Sequence, residues 1–350
     1  MSTELLYPYR LEPLEKPALW GGSALVARYG KRADPAVAIG ESWECWDANL
    51  VANGALSGLT LDELRTRLGS ELMGPLDATR PFPVLTKFID AHLALSVQVH
   101  PNDDYAQRVE HQPNGKTECW YILAAAPGAE LVLGWTRDTD RAEYERRVAD
   151  GSLGDILRRV PVQAGDVFYL PAGTLHAIGA GIELFETQQA SDLTYRIFDW
   201  NRVEANGEPR ELHVAKAGDV LDFRATTRGA VETLSFGDND VQRTLLVADR
   251  RFVLERVSAN GVDGRIDTGG LPVTLTALAA PVTVGVGATS LDVAPYATIV
   301  VPAAVPSFTV GSASEFLLIR PAAALEALRA LVLGAGIAAE HADRFFGQFA

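Results

Sequence analysis

Three stretches of the 350-residue sequence carry residue types able to do chemistry. The first is Ser96-Val-Gln98-Val-His100-Pro101. On a strand alternate side chains share a face, so Gln98 and His100 point one way while Val97 and Val99 point the other. Taken alone, such a pair reads as a hydrogen-bonded couple at a strand end. The second is Gly115-Lys-Thr-Glu118, which opens the apolar run Cys119-Trp-Tyr-Ile-Leu123. Glu118 shares a face with Trp120 and Ile122, and Lys116 lies on the same side. A carboxylate on an apolar face is costly unless it is paired or bound to metal, and a plain Lys116–Glu118 ion pair is the simpler of the two. The third is Gly165-Asp-Val-Phe-Tyr-Leu-Pro171-Ala-Gly173-Thr-Leu-His176. Gly165-Asp166 turns the chain, a strand runs to Pro171, and Gly173 permits a tight bend after which His176 points inward.

These residues need a scaffold of strands. Runs at 93–100, 118–126, 130–135, 166–170, 182–188 and 193–200 are rich in β-branched and aromatic residues and are punctuated by Gly, Pro and Asp, as in an antiparallel sandwich or barrel. Thr60-x-x-Glu63 ahead of leucines 61, 64 and 68 predicts a peripheral helix over about 59–74, and a second is expected over about 138–160. From about residue 235 aromatics thin out and Ala, Val and Thr dominate, which suggests a second, chemically quiet β domain. The tail reads as helix over 324–333, a glycine break, then a polar helical segment. Thr268 to Leu291 carries no charge, but its prolines, glycines and period-two alternation suit short strands better than a membrane-spanning helix.

Composition narrows the function. Apolar residues make up 47% of the chain, enough for sizeable cores, and 31 basic against 45 acidic residues give a net charge of −14. Nonspecific nucleic-acid binding is therefore not expected, nor a membrane partner. Two cysteines, Cys45 and Cys119, are too few for a disulfide framework, and the first residues lack the apolar stretch of a signal peptide, so a cytoplasmic enzyme is expected.

The spacing G-x5-P-x-G-x2-H ending at His176 resembles the second metal-binding motif of the cupin superfamily. The first cupin motif is matched only in part, because Gln98 stands at the first ligand position and Glu118 comes 18 residues after His100. Those departures, with Leu175-His176-Ala177 and Ser191-Asp192-x-x-x-Arg196, resemble type I phosphomannose isomerases. Lys16-Pro-Ala-Leu-Trp-Gly-Gly22, Gly40-Glu-Ser-Trp-Glu44 and Leu85-Thr-Lys87-Phe-Ile-Asp90 support the likeness, which covers about residues 5–320 and looks like the short bacterial form.

The resemblance implies a mainly β protein of two cupin-like jelly-roll sandwich or barrel domains with peripheral helices. A catalytic domain would span 1–234, including the two helices, and a metal-free β domain with the helical tail would span 235–350. One zinc per chain would be held by Gln98, His100, Glu118 and His176, a thiolate-free donor set that suits zinc with an open position. The implied reaction interconverts mannose 6-phosphate and fructose 6-phosphate through an enediol whose charge zinc and Arg196 would stabilise. The resemblance places Lys116, Lys87, Glu186 and Asp192 in or near the pocket, and the sequence leaves open which of these four is the base. Lys116 joins Arg196 as catalytic, and Lys87, Glu186 and Asp192 bind substrate. For Arg196 the plainer reading is a strand brace paired with Asp192 or Asp199. His92, His111, His213 and His341 read as structural or solvated, and Cys119 should face away from the metal. An iron-dependent dioxygenase and a non-catalytic sugar-binding cupin are the alternatives; Gln98 argues against the first and Arg196 against the second. The oligomeric state is not legible.

Overall fold

A computed structural model describes residues 6–34, 36–200, 202–203, 207–208, 210–259 and 261–349. The chain is mainly β. Its first twelve strands are β1 (Tyr9–Arg10), β2 (Leu14–Gly22), β3 (Ile39–Cys45), β4 (Val84–Ala91), β5 (Val97–Val99), β6 (Glu118–Ala125), β7 (Glu130–Trp135), β8 (Leu157–Pro161), β9 (Val167–Leu170), β10 (His176–Ile178), β11 (Ile182–Gln189) and β12 (Tyr195–Phe198). Six of them form one sheet in the order β2-β3-β4-β11-β6-β9, and five form a second in the order β12-β5-β10-β7-β8.

Period-two alternation decides what lies between the sheets. Ile89, Trp120, Ile122 and Leu184 of the six-stranded sheet pack with Leu131, Leu133 and Ile178 of the five-stranded one. The opposite face of the five-stranded sheet, with Val97, Val99, Ala177 and Ile197, is covered by Tyr144 and Ala217 from the helices Arg141–Asp150 and Val214–Val220. The outer face of the six-stranded sheet is not solvated either. Phe88, Cys119, Tyr121 and Phe185 pack there against Leu245, Val247, Phe252 and Leu317. That double burial explains why all eight residues of β4 are buried, the polar Thr86, Lys87 and Asp90 included.

Ten further strands lie between Leu234 and Pro321 among the described residues. They form a seven-stranded sheet, completed by β1, and a four-stranded sheet, with Val257, Leu275, Val284, Ile299, Phe308 and Leu318 between them. The short β1 therefore joins a sheet built from the far end of the chain, with Tyr9 opposite Val300 and Arg10 opposite Ile299. Polar ties cross the same seam. The Lys31 ammonium, buried, meets Glu44 Oε1 at 2.7 Å and donates to the Tyr296 carbonyl at 2.7 Å, and Tyr169 Oη donates to Asp249 Oδ2 at 2.7 Å.

Several elements differ in extent from the sequence reading. The helix expected over 59–74 begins with the capping box, Thr60 and Glu63 bonding reciprocally, but it breaks at Gly69 (φ +52°) into Leu61–Leu68 and Ser70–Met73. The helix expected over 138–160 spans only Arg141–Asp150, because Gly151 takes a left-handed conformation and ends it. Residues 157–161 are instead β8, in which Leu157 packs on the helix-covered face and Val160 between the sheets. Of the run 93–100 only Val97–Val99 is strand. The tail forms the helices Leu325–Gly334 and Ala339–Gly347, the second less polar in role than its composition suggests, since it buries Ala342 and Phe345. The uncharged stretch from Thr268 divides among short strands, and no helix among the described residues is long and apolar enough to cross a membrane.

Tyr169 and Asp249 form one of the buried hydrogen bonds across the seam. Removing the hydroxyl leaves the buried Asp249 carboxylate short of a donor, so Tyr169→Phe should lower unfolding stability by about 1–2 kcal/mol, read from denaturant midpoints. An unchanged midpoint would show that the seam does not depend on this bond.

Candidate metal centre and its cavity

Two histidines and a carboxylate meet between the two sheets. His176 opens β10 and sits opposite Gln98 of β5, which in turn sits opposite Arg196 of β12. His100 follows β5 directly. Glu118 comes from the facing sheet, where it opens β6. The ligating atoms of His100, Glu118 and His176 lie within 4.8 Å of one another, and all three side chains are buried. Among the described residues no other group of three His, Cys, Asp or Glu has this geometry.

Local backbone features bring them there. Gly173 (φ +89°) makes the bend before His176, and its N–H donates to the His100 carbonyl at 2.9 Å, tying the two histidine segments together. Gly115 admits a close approach on the other side. A Cβ there would lie 2.4 Å from the Asn102 carbonyl carbon, and the next residue, Lys116, donates its N–H to the Pro101 carbonyl at 2.9 Å. Lys116 and Glu118 are thereby held against the His100 turn.

Most of the donor atoms are left unsatisfied by the protein. His100 Nδ1 and His176 Nδ1 each lie 2.9 Å from a backbone carbonyl, of Leu193 and Thr174 respectively, which places the proton on Nδ1 and the lone pair on Nε2. Both Nε2 atoms and Glu118 Oε1 are buried without a hydrogen-bond donor, and Glu118 Oε2 is met by the Lys116 ammonium at 3.0 Å. His100 Nε2 stands 3.4 Å from Glu118 Oε2, and His176 Nε2 stands 3.3 Å from Glu118 Oε1. Two ligands of one tetrahedral zinc at bond lengths near 2 Å are separated by roughly 3.3 Å. The residues present therefore fit a metal ion, with carbonyls holding the histidines in the ligating tautomer.

Electrostatics agree. Burial, with the Lys116 charge adding to it, holds the His100 imidazole down at about 3, and burial likewise lowers His176. Burial pushes the Glu118 carboxyl up, but Lys116 and the histidines outweigh it and keep the group well below the usual carboxylate range. The Lys116–Glu118 ion pair expected as the simpler reading is present, at 3.0 Å, alongside the histidine cluster rather than in place of it.

Beside this cluster opens a cavity of about 270 Å³ whose walls include Lys87, Gln98, Lys116, Glu186, Asp192 and Arg196. Every site residue singled out in the sequence thus lies in the cluster or in this cavity. A chain of alternating charges runs along one wall: Glu41 and Glu186 lie 3.5 and 3.3 Å from the Lys87 ammonium, and Glu186 lies 4.0 Å from Lys116. Trp120 Nε1 donates to Glu186 Oε2 at 2.9 Å. Burial first, and the Glu118 charge second, raise the Glu186 carboxyl. Arg196 donates from Nη1 to the Glu211 carbonyl at 3.0 Å. Asp199, considered above as its brace, pairs with Arg202 and Arg210.

The sequence reading missed Arg210 and assigned no role to Glu41, Ser96 and Thr194, which also line the cavity. Glu41 lay within a quoted segment, whereas Arg210 sits in no motif and only the folded chain brings it here. His213 is structural, accepting the Arg196 N–H through Nδ1 at 3.1 Å. His92 lies in a separate cleft with Arg28, Asp90 and Glu183, and Cys119 belongs to the apolar cluster on the far side of its sheet.

Comparison with known proteins agrees with this geometry. A family model described as phosphomannose isomerase type I, catalytic domain, matches residues 9–123, a stretch holding Lys87, Gln98, His100, Lys116 and Glu118. The chain is 44% identical over 226 residues to mannose-6-phosphate isomerase ManA of Bacillus subtilis (63% of this chain, 69% of the relative). It is 38% identical over 259 residues to the mannose-6-phosphate isomerase of Streptococcus mutans (73% and 79%). The crystal structure of mannose 6-phosphate isomerase from Bacillus subtilis superposes with a TM-score of 0.82 at 31% identity, covering 89% of this chain and 99% of that one.

The lowered histidines set a pH dependence. From the ordinary value of 6.5 down to about 3, the unfolded chain binds protons that folded His100 refuses, and His176 acts in the same direction. More protons on the unfolded state mean that stability rises with pH through that window and falls as pH drops. The melting temperature of metal-free protein should therefore decline steadily as pH falls below about 6; a flat profile would contradict the buried, neutral histidines.

Proposed function

The chain belongs to the type I phosphomannose isomerase family, and from that premise we propose that it interconverts mannose 6-phosphate and fructose 6-phosphate with one zinc held by Gln98, His100, Glu118 and His176. The observation that carries the metal is the set of buried lone pairs on His100 Nε2, His176 Nε2 and Glu118, converging beside a cavity whose walls include Lys87, Lys116, Arg196 and Arg210. Zinc bound there would supply Lewis acidity toward the sugar oxygens as negative charge develops on them. Gln98, opposite His176 and exposed to the cavity, is the donor nearest to substrate space.

The isomerisation removes a proton from C2 of the open-chain sugar and returns it to C1, passing through an enediol. Glu186 and Lys116 are the groups set to carry that proton. Glu186 Oε1 faces both lysines while Oε2 is held by Trp120, and its raised carboxyl is the more basic for being buried. Arg196 contributes a fixed positive charge opposite Gln98, where it meets the enediol oxygen. Lys87 and Asp192 bind the sugar within the same cavity. The phosphosugar class suits the wall chemistry, because a dianion needs concentrated cations on a chain whose net charge is −14. A cytoplasmic location accords with such a substrate.

The deciding experiment is an isomerase assay on both sugar phosphates before and after chelation, with turnover expected only in the metal-loaded protein. His100→Ala, Glu118→Ala and His176→Ala should each lose zinc and activity together, measured by elemental analysis, while Gln98→Ala weakens binding less because a neutral amide is the poorest donor. Full zinc occupancy with normal turnover in the His176 variant would remove the metal assignment.

Arg196→Ala should lower kcat at least tenfold (on the order of the loss of one transition-state charge contact) while raising KM far less, with only partial rescue by lysine, which cannot copy the planar fork. Unchanged kcat with a lowered melting temperature would make Arg196 a strand brace.

A further inference from the structure

Beside the cavity one carboxylate holds two guanidinium groups that have unequal duties. Asp199 lies just past β12 and is 5% exposed. Its Oδ2 accepts from Arg210 Nε at 2.7 Å and its Oδ1 from Arg210 Nη2 at 2.7 Å, a side-on, two-bond grip of fixed geometry. Arg202 Nη2 donates to the same Oδ1. The other bonds of Arg202 go to the backbone, from Nη1 to the Ala94 carbonyl at 2.7 Å and from Nε to the Asp199 carbonyl at 3.3 Å. Next to it, Trp200 Nε1 donates to the Leu95 carbonyl at 2.7 Å, so the turn leading into β5 is braced twice.

Arg210 has a different setting. Its side chain lines the cavity together with Lys87, Gln98 and Arg196, and Arg202 does not. The grip on the Nε–Nη2 edge leaves the Nη1 edge, and one further N–H, for an outside acceptor. We propose that Asp199 is a positioning residue that aims the outer edge of Arg210 into the cavity to receive the phosphate group of the substrate, while Arg202 anchors the same carboxylate to the turn at Ala94. This rests on the phosphosugar reading above. The physical gain is preorganisation: a long, rotamer-rich side chain is ordered before the ligand arrives, so binding does not bear that entropy loss. One carboxylate between two guanidinium groups also leaves this three-residue cluster with a net positive charge.

The test combines isomerase kinetics with calorimetric binding of inorganic phosphate to the metal-loaded protein. Asp199→Asn keeps the shape but removes the charge and one acceptor. It should raise KM and the phosphate Kd together by about tenfold, with kcat within about twofold and zinc content unchanged. Adding it to Arg210→Ala should cost nothing further, because the two act through one contact. Arg202→Ala should lower the melting temperature and leave phosphate Kd within about twofold. Native phosphate Kd in Asp199→Asn, full additivity with Arg210→Ala, or no phosphate binding by the native protein would each overturn the proposal. If Asp199→Asn does not fold, Arg210→Lys breaks the same grip from the other side, and native phosphate affinity in that variant overturns it equally. The outcomes separate the two readings: a native protein that binds phosphate through this clasp yet isomerises neither sugar phosphate defeats the function, and one that isomerises normally with an indifferent Asp199 defeats only the clasp.

Discussion

Glu118 is wholly shielded from water, and much of the surrounding architecture answers to that one carboxylate. An ion of this size loses several kcal/mol of hydration on burial, which the interior must offset with charge and hydrogen-bond donors. Lys116 supplies one neighbour from two residues earlier on the same face, and the two histidines present lone pairs rather than protons. The arrangement is incomplete as a purely protein structure: one ammonium against a carboxylate and two imidazole lone pairs leaves negative potential at the centre. A divalent cation would complete it, so the cost of burying Glu118 and the proposed capacity to bind metal have one physical origin.

That constraint reaches outward through the sheets. Glu118 belongs to the six-stranded sheet and the histidines to the five-stranded one, so the cluster exists only while Leu131, Leu133 and Ile178 stay packed on Trp120, Ile122 and Leu184. The six-stranded sheet in turn is held from behind by the second half of the chain, through Phe88, Cys119 and Phe185. The quiet second half lends no residue to the metal cluster, yet it covers the apolar back of the sheet that positions Glu118. Along the cavity wall the signs alternate from Glu41 through Lys87, Glu186 and Lys116 to Glu118, which lets several buried charges coexist at low dielectric. Arg196 and Arg210 add two further positive charges to the walls of the same cavity.

Much of the site was legible in the sequence because strand alternation is a local property. Gln98 and His100, two apart, and Lys116, Glu118 and Trp120, each two apart, share faces by geometry alone, and the same rule turned Cys119 away from the histidine cluster. Capping chemistry at Thr60 and Glu63 was equally local and marked the helix start. The errors were local too, but on the other side of the competition: Gly69 and Gly151 stopped helices that composition alone extended, and the residues after Gly151 found a neighbouring strand to pair with.

By itself the sequence determined which residue types stand where and which faces they share, together with the mainly β class, since these follow from periods of two and from turn residues within a few positions of each other. Only the tertiary structure decided that β1 pairs with a strand near the far end of the chain, Tyr9 opposite Val300, that Asp199 pairs with Arg202 and Arg210, and that Arg210 enters the cavity at all. Those contacts join residues whose relative placement depends on how the sheets close and the chain returns, a long-range outcome of burial that no spacing along the chain encodes.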